Sequence, residues 1–157
     1  MDTARFAPFD RACARELPEA VAGILEGWKG KEPPAIGFIT TDDFYGCFLA
    51  WGERGDIPNY FSWQDAACPD FLYRSLVEVV DASRDVDLLQ PSKEKWAFAL
   101  AFLETLSKAL RRLPEELFRR RGWSREEVTF FAAQSDGDYV RELLEESLKM
   151  LNERGEG

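Results

Sequence analysis

The side chains best placed to do chemistry in this chain are two pairs of aspartates, Asp42 with Asp43 and Asp136 with Asp138. Carboxylate oxygens brought together from two turns are the donors that Mg²⁺ or Ca²⁺ takes. They would share a rim only if the strands before them were neighbours. Each pair also has a plain structural role, with Asp42 and Asp43 suiting a hairpin connection, Asp136 and Gly137 a turn, and Asp138 the N-cap of a helix. A second group is Tyr60, Phe61 and Trp63, flanked by Asp56 and Asp65. Aromatic rings with acidic neighbours fit an interface anchor, and equally a lid over the core. A third is Arg119, Arg120 and Arg121 with Arg111 and Arg112 ahead of them. Guanidinium groups bind phosphates and carboxylates, although Glu115, Glu116, Glu126 and Glu127 stand near enough to neutralise them.

Other chemistry is excluded. The 157 residues contain no histidine, so Ser-His-Asp and Cys-His arrangements do not exist within the chain. A zinc site would have to draw on carboxylates and three scattered cysteines. Cys13, Cys47 and Cys68 are odd in number and widely spaced, and read as buried free thiols, not a disulfide framework. Gly52-Glu53-Arg54-Gly55 lacks the Lys-Ser/Thr ending that a phosphate loop needs. No cofactor is expected. The net charge of −9 opposes phosphate-backbone binding, so nucleic acid is not an expected partner. Such a charge either keeps the chain dispersed or presents an acidic face to a basic partner. The stretch Met1 to Asp10 lacks the apolar run of a secretory signal, and no window approaches the ~20 apolar residues that cross a bilayer. A soluble, cytoplasmic chain with no membrane partner is expected.

The elements that must position these groups follow from periodicity. Cys13, Leu17, Val21, Ile24 and Trp28 mark one helical face beginning near Phe9, with Pro18 either kinking that helix or opening a second. Ala35 to Thr40 and Tyr45 to Trp51 read as a hairpin joined at Thr41, Asp42 and Asp43, apolar on both faces and therefore covered on both. Gly52 to Cys68 has no clean period and reads as an ordered loop. Pro69 suits the first turn of a helix carrying Leu72, Leu76, Val79 and Val80, with a strand as the alternative. After Pro91, Ser92 caps a long helix striped by Trp96, Leu100, Leu103, Leu106, Leu110 and Leu113 and widened by Phe98 and Phe102.

Pro114 to Gly122 reads as a short helix with Glu115 spaced for Arg119 and Glu116 for Arg120. Val128 to Gln134 is a further strand, followed by an amphipathic helix with Val140, Leu144, Ser147, Leu148 and Leu151 inward. The hairpin requires an antiparallel pair. The fold class is therefore α+β, a small antiparallel or mixed sheet packed with amphipathic helices in a single domain over residues 1–157, with Glu153 to Gly157 expected to fray.

Several short motifs, in order, resemble the bacterial domain-of-unknown-function family DUF4303. They are Thr40-Thr41-Asp42-Asp43-Phe44-Tyr45-Gly46, Pro91 with Glu94 and Trp96, Leu117-Phe118, Phe130-Phe131 leading to Ser135-Asp136-Gly137-Asp138, then Glu146-Ser147 and Leu151-Asn152. The segment Gly52 to Asp70 and Glu153 after Asn152 depart from the family pattern. The resemblance brings no catalytic residues and implies a role in immunity against polymorphic toxins. The expectation is a non-catalytic protein-binding module, an immunity protein for a basic toxin domain, using Tyr60, Phe61, Trp63, Asp56 and Asp65. Its alternatives are a divalent-metal enzyme using Asp42, Asp43, Asp136 and Asp138, and a structural or adaptor protein. The oligomeric state is left open.

Overall fold

Strand propensity and burial together build the centre of the fold. In the computed structural model, which describes residues 2–152, β1 (Pro34–Thr40) is buried along its whole length. It pairs antiparallel with β2 (Cys47–Glu53) and parallel with β4 (Thr129–Gln134). A two-residue β3 (Ala66–Ala67) adds to the far side of β2, giving the order β3-β2-β1-β4. The sheet is mixed and the fold is α+β, as the hairpin requires. The residues expected to fray, Glu153 to Gly157, lie outside the described residues.

Alternation along the strands sends side chains to two separate cores. One face, with Ile36, Phe38, Leu49, Phe130 and Ala132, packs into the large cluster formed with helices α1 (Ala7–Gly27), α2 (Asp70–Asp81) and α3 (Lys93–Arg111). The other face, with Ala35, Ile39, Ala50, Phe131 and Ala133, is covered by Ile57 and Tyr60. Those two residues belong to a 3₁₀ segment, Arg54–Ser62. The region expected to be a loop is thus the end of β2, a 3₁₀ lid and the short β3, which explains its lack of a 3.6- or 2-residue period.

Helix α1 runs unbroken through Pro18. An internal proline costs about 3 kcal/mol through its lost hydrogen bond and ring clash. The buried stripe Phe9, Cys13, Leu17, Val21, Leu25 extends on both sides of it, and burying each such side chain contributes about 1.5–3 kcal/mol, so packing outweighs the break. Pro69 stands just before α2, in an extended conformation, and not in its first turn. Ser92 caps α3 as expected, its Oγ accepting from the Lys95 N–H at 3.0 Å. The short α4 (Glu116–Arg119) pairs Glu116 with Arg120, while Glu115 turns to Arg125 in place of the expected Arg119. Cys13 and Cys47 are buried, but Cys68 is exposed because it follows the edge strand. Burial pushes the Cys13 thiol up to about 12 and Cys47 well above its ordinary range, so both stay protonated at neutral pH.

The last helix, α5 (Val140–Met150), lies along the outer edge of β4. The outward backbone groups of that strand find side chains there instead of another strand. Asn152 accepts from Phe130 N–H at 2.8 Å and donates to Phe130 C=O at 2.7 Å. Ser147 Oγ accepts from Ala132 N–H at 2.8 Å and donates to Ala132 C=O at 3.0 Å. Tyr60 OH donates to the Gln134 carbonyl at 2.7 Å. An unsatisfied buried backbone group costs about 1–3 kcal/mol. Ser147→Ala is therefore expected to lower stability by about 2 kcal/mol in urea unfolding, with the Ala132 amide losing protection from hydrogen exchange.

Candidate functional site

Because β1 and β4 are parallel neighbours, the turns that follow them emerge at the same end of the sheet. The first turn carries Asp42 and the second Asp138, and the N-terminus of α3 lies between them. Phe44 fixes the first turn. Its φ of 59° is left-handed, uncommon for a non-glycine residue, and its buried ring packs edge-on against Phe98 at 5.4 Å and Phe102 at 5.7 Å. Gly137 fixes the second, with φ of 101° and a position so close to Asp42 that a β-carbon would overlap its carboxylate.

Lys95 lies where the turns meet, fully buried at 0% exposure. A lysine in the first turn of a helix opposes the helix dipole, so it needs local anions. Its Nζ donates to Asp42 Oδ1 at 2.8 Å and approaches Asp138 Oδ2 at 3.5 Å, with the ammonium 5.6 Å from the centre of the Tyr139 ring. Asp42 Oδ1 also accepts from the Asp138 N–H at 3.0 Å. Gln134 ties both turns together, donating to the Asp42 carbonyl and accepting from the Tyr139 N–H. Burial alone would raise the Asp42 carboxyl. The Lys95 ammonium and the Asp138 N–H outweigh that and hold it below its ordinary value.

Of the four aspartates considered as ligands, the structure therefore unites two, and does so around a cation of the chain's own. Asp43 accepts from Thr41 Oγ1 and the Tyr45 N–H, and the exposed Asp136 is approached by Ser135 Oγ at 3.4 Å. Among the described residues no group of three or more His, Cys, Asp or Glu side chains is arranged to hold a metal ion. A divalent ion at Asp42 and Asp138 would have to displace the Lys95 ammonium. Asp138 also does not cap α5: the capping position falls at Tyr139, and the Asp138 carboxylate is turned to Lys95 instead.

The aromatic and acidic segment divides into two roles. Tyr60 is buried as a lid, meeting Phe131 edge-on at 5.8 Å. Trp63 is half-buried, lying against Phe131 and over Gly52, where no β-carbon would fit. Its Nε1 donates to Asp56 Oδ2 at 3.0 Å, and Asn59 donates to the other oxygen of Asp56 at 2.9 Å. These bonds hold the Asp56 carboxyl below its usual range. Asp65 is exposed, and its backbone carbonyl accepts from the Trp51 N–H. Phe61 alone turns outward, at 77% exposure.

Two arginines clip helix ends. Arg121 donates to the Leu25 and Trp28 carbonyls at the end of α1 and lies over the Trp123 ring at 4.5 Å. Arg125 donates to the Arg111 and Leu113 carbonyls at the end of α3, while Arg112 bonds Asp10. Cations at helix C-termini complement the partial negative charge there. Of the five arginines considered for phosphate binding, Arg121, Arg112 and Arg120 thus have partners within the chain, the last on Glu26 and Glu116.

Lys95, Gln134 and Tyr139 were not singled out from the sequence. A signal existed for Lys95, because it falls in register with Phe98, Ala99, Phe102 and Leu106 on the buried face of α3, where a lysine needs a buried partner. Comparison of the chain with protein-family models, curated proteins and solved structures returned no match. Among the described residues no helix is long and apolar enough to cross a membrane.

Proposed function

We propose that this chain is a non-catalytic protein-binding module that engages a basic partner protein through the segment 54–68, with Phe61 as its anchor. The observation that carries this reading is the exposed Phe61 ring on a pinned base. Tyr60 and Trp63, on either side of it, are bonded to Gln134 and Asp56 and packed on Phe131. An aromatic side chain held this way loses little entropy on binding, which is the property of an interface hot spot. The acidic Asp56 and Asp65 beside it, and the net charge of −9, favour a cationic surface opposite. The specific form supported by the motif resemblance is an immunity protein that occludes a basic toxin domain.

The test is co-expression and co-purification with the product of the adjacent reading frame. Binding should weaken as salt rises, and Phe61→Ser should lower affinity by about tenfold or more with the unfolding transition unchanged. A partner that is neither retained nor neutralised removes the proposal. The metal-enzyme reading predicts calorimetric binding of Mg²⁺, Mn²⁺ or Ca²⁺ that disappears with Asp138→Asn. The adaptor reading predicts stable capture of an assembly unrelated to toxins.

A further inference from the structure

A second surface lies on different elements. The connection from α2 to α3, with Asp43 opposite it, lines a groove of about 560 Å³. Two adjacent leucines in it have opposite fates, Leu88 being buried and Leu89 standing 70% exposed. Leu89 is not on a loose tip. Asp87 Oδ1 accepts from the Leu89 N–H at 2.9 Å, the Val86 N–H bonds the Ser83 carbonyl, and Asp85 receives two bonds from Arg5 at 3.1 and 3.0 Å. Half-buried Val80 and Val86 extend the apolar floor.

Four aspartates and a single arginine line this groove. Asp85 is neutralised by Arg5, but Asp43, Asp81 and Asp87 form no salt bridge among the described residues. An exposed leucine on an ordered backbone gains from an apolar cover. Carboxylates at the rim favour a cover that brings cations. A second copy of the chain is a poor occupant, since each copy carries −9 and their acidic faces would repel.

We propose that this groove docks a short cationic segment of a partner protein. An apolar side chain of that segment packs on Leu89, Val80 and Val86 while its lysines or arginines face Asp43, Asp81 and Asp87. The site is separate from the Phe61 segment and stands or falls independently of it.

The test uses the full-length protein, isotope-labelled for NMR and titrated with an end-blocked synthetic peptide, Lys-Lys-Leu-Leu-Lys-Lys. Amide shifts should be confined to residues 80–89 and the turn around Asp43. Leu89→Ser should weaken binding about tenfold and Asp81→Asn about threefold, both at exposed side chains whose replacement leaves the fold intact. Three results would overturn the proposal. They are shifts spread over unrelated acidic positions such as Asp56 and Asp65, an affinity indifferent to Leu89→Ser, or the same amides moving with protein concentration alone, which would assign the groove to a second copy.

Discussion

Replacing Lys95 by alanine is expected to lower stability by about 2–4 kcal/mol in denaturant unfolding. Removing one member of a buried ion cluster leaves the others with uncompensated charge, typically at a cost of about 3–5 kcal/mol. Here the Asp42 and Asp138 side chains keep 29% and 38% exposure, so water recovers part of that cost. The pH dependence separates charge from packing. Asp42 has a depressed folded-state pKa, so its contribution is fully present above the unfolded value near 3.9 and is lost as pH falls through the lower, folded value. In the alanine variant the Asp42 carboxyl no longer has that cation. Protonation then relieves the variant while weakening the native protein, and the gap between them should narrow below about pH 4. A gap constant across that range would show that only the packing of the Lys95 stem had been lost. Lys95→Met, which keeps the stem, should reproduce the pH effect with a similar or smaller loss.

Gly137→Ala is the second large effect, expected at about 2–5 kcal/mol. Two costs combine. A left-handed backbone at φ 101° costs a residue with a side chain about 1–3 kcal/mol, and overfilling a packed site costs a similar amount. The added methyl would occupy the space of the Asp42 carboxylate, which must then leave Lys95. A coupled double-mutant measurement checks this, because Gly137→Ala and Lys95→Ala injure the same junction and their effects should sum to clearly more than the double variant loses. Full additivity would place the two in separate environments.

The sequence carried much of the fold because its signals were local. Ser92 and the leucine stripe define α3, and the aromatic-rich runs on either side of Asp42 and Asp43 define the hairpin, although β2 begins at Cys47 and reaches Glu53. The parallel partnership of β1 with β4 was not legible. It joins residues separated by most of the chain, and neither strand encodes its neighbour. The same distance hid the junction. Asp42 and Asp138 were visible as turn residues, but their meeting depends on that pairing, and the cation they share comes from a third element. In the segment 54–68, composition drew attention to the rings while leaving open which were covered. Tyr60 and Trp63 reach Phe131 on the second face of the sheet and Phe61 does not, a difference set by 3₁₀ geometry and not by residue type.

The way α5 closes the sheet also bears on how the chain avoids its own kind. A rim strand with open rungs is a template for cross-β growth, and most proteins blunt it with charge, proline or a kink. β4 has none of these within Thr-Phe-Phe-Ala-Ala-Gln, an uncharged run that opens on three strand-forming residues. Its protection comes instead from polar side chains, Tyr60 at one end and Ser147 and Asn152, which follow the strand in the chain, along the rest. Any chain clipped upstream of Ser147 would display most of that adhesive hexamer bare, so the integrity of the final helix decides whether the protein stays dispersed or seeds fibres.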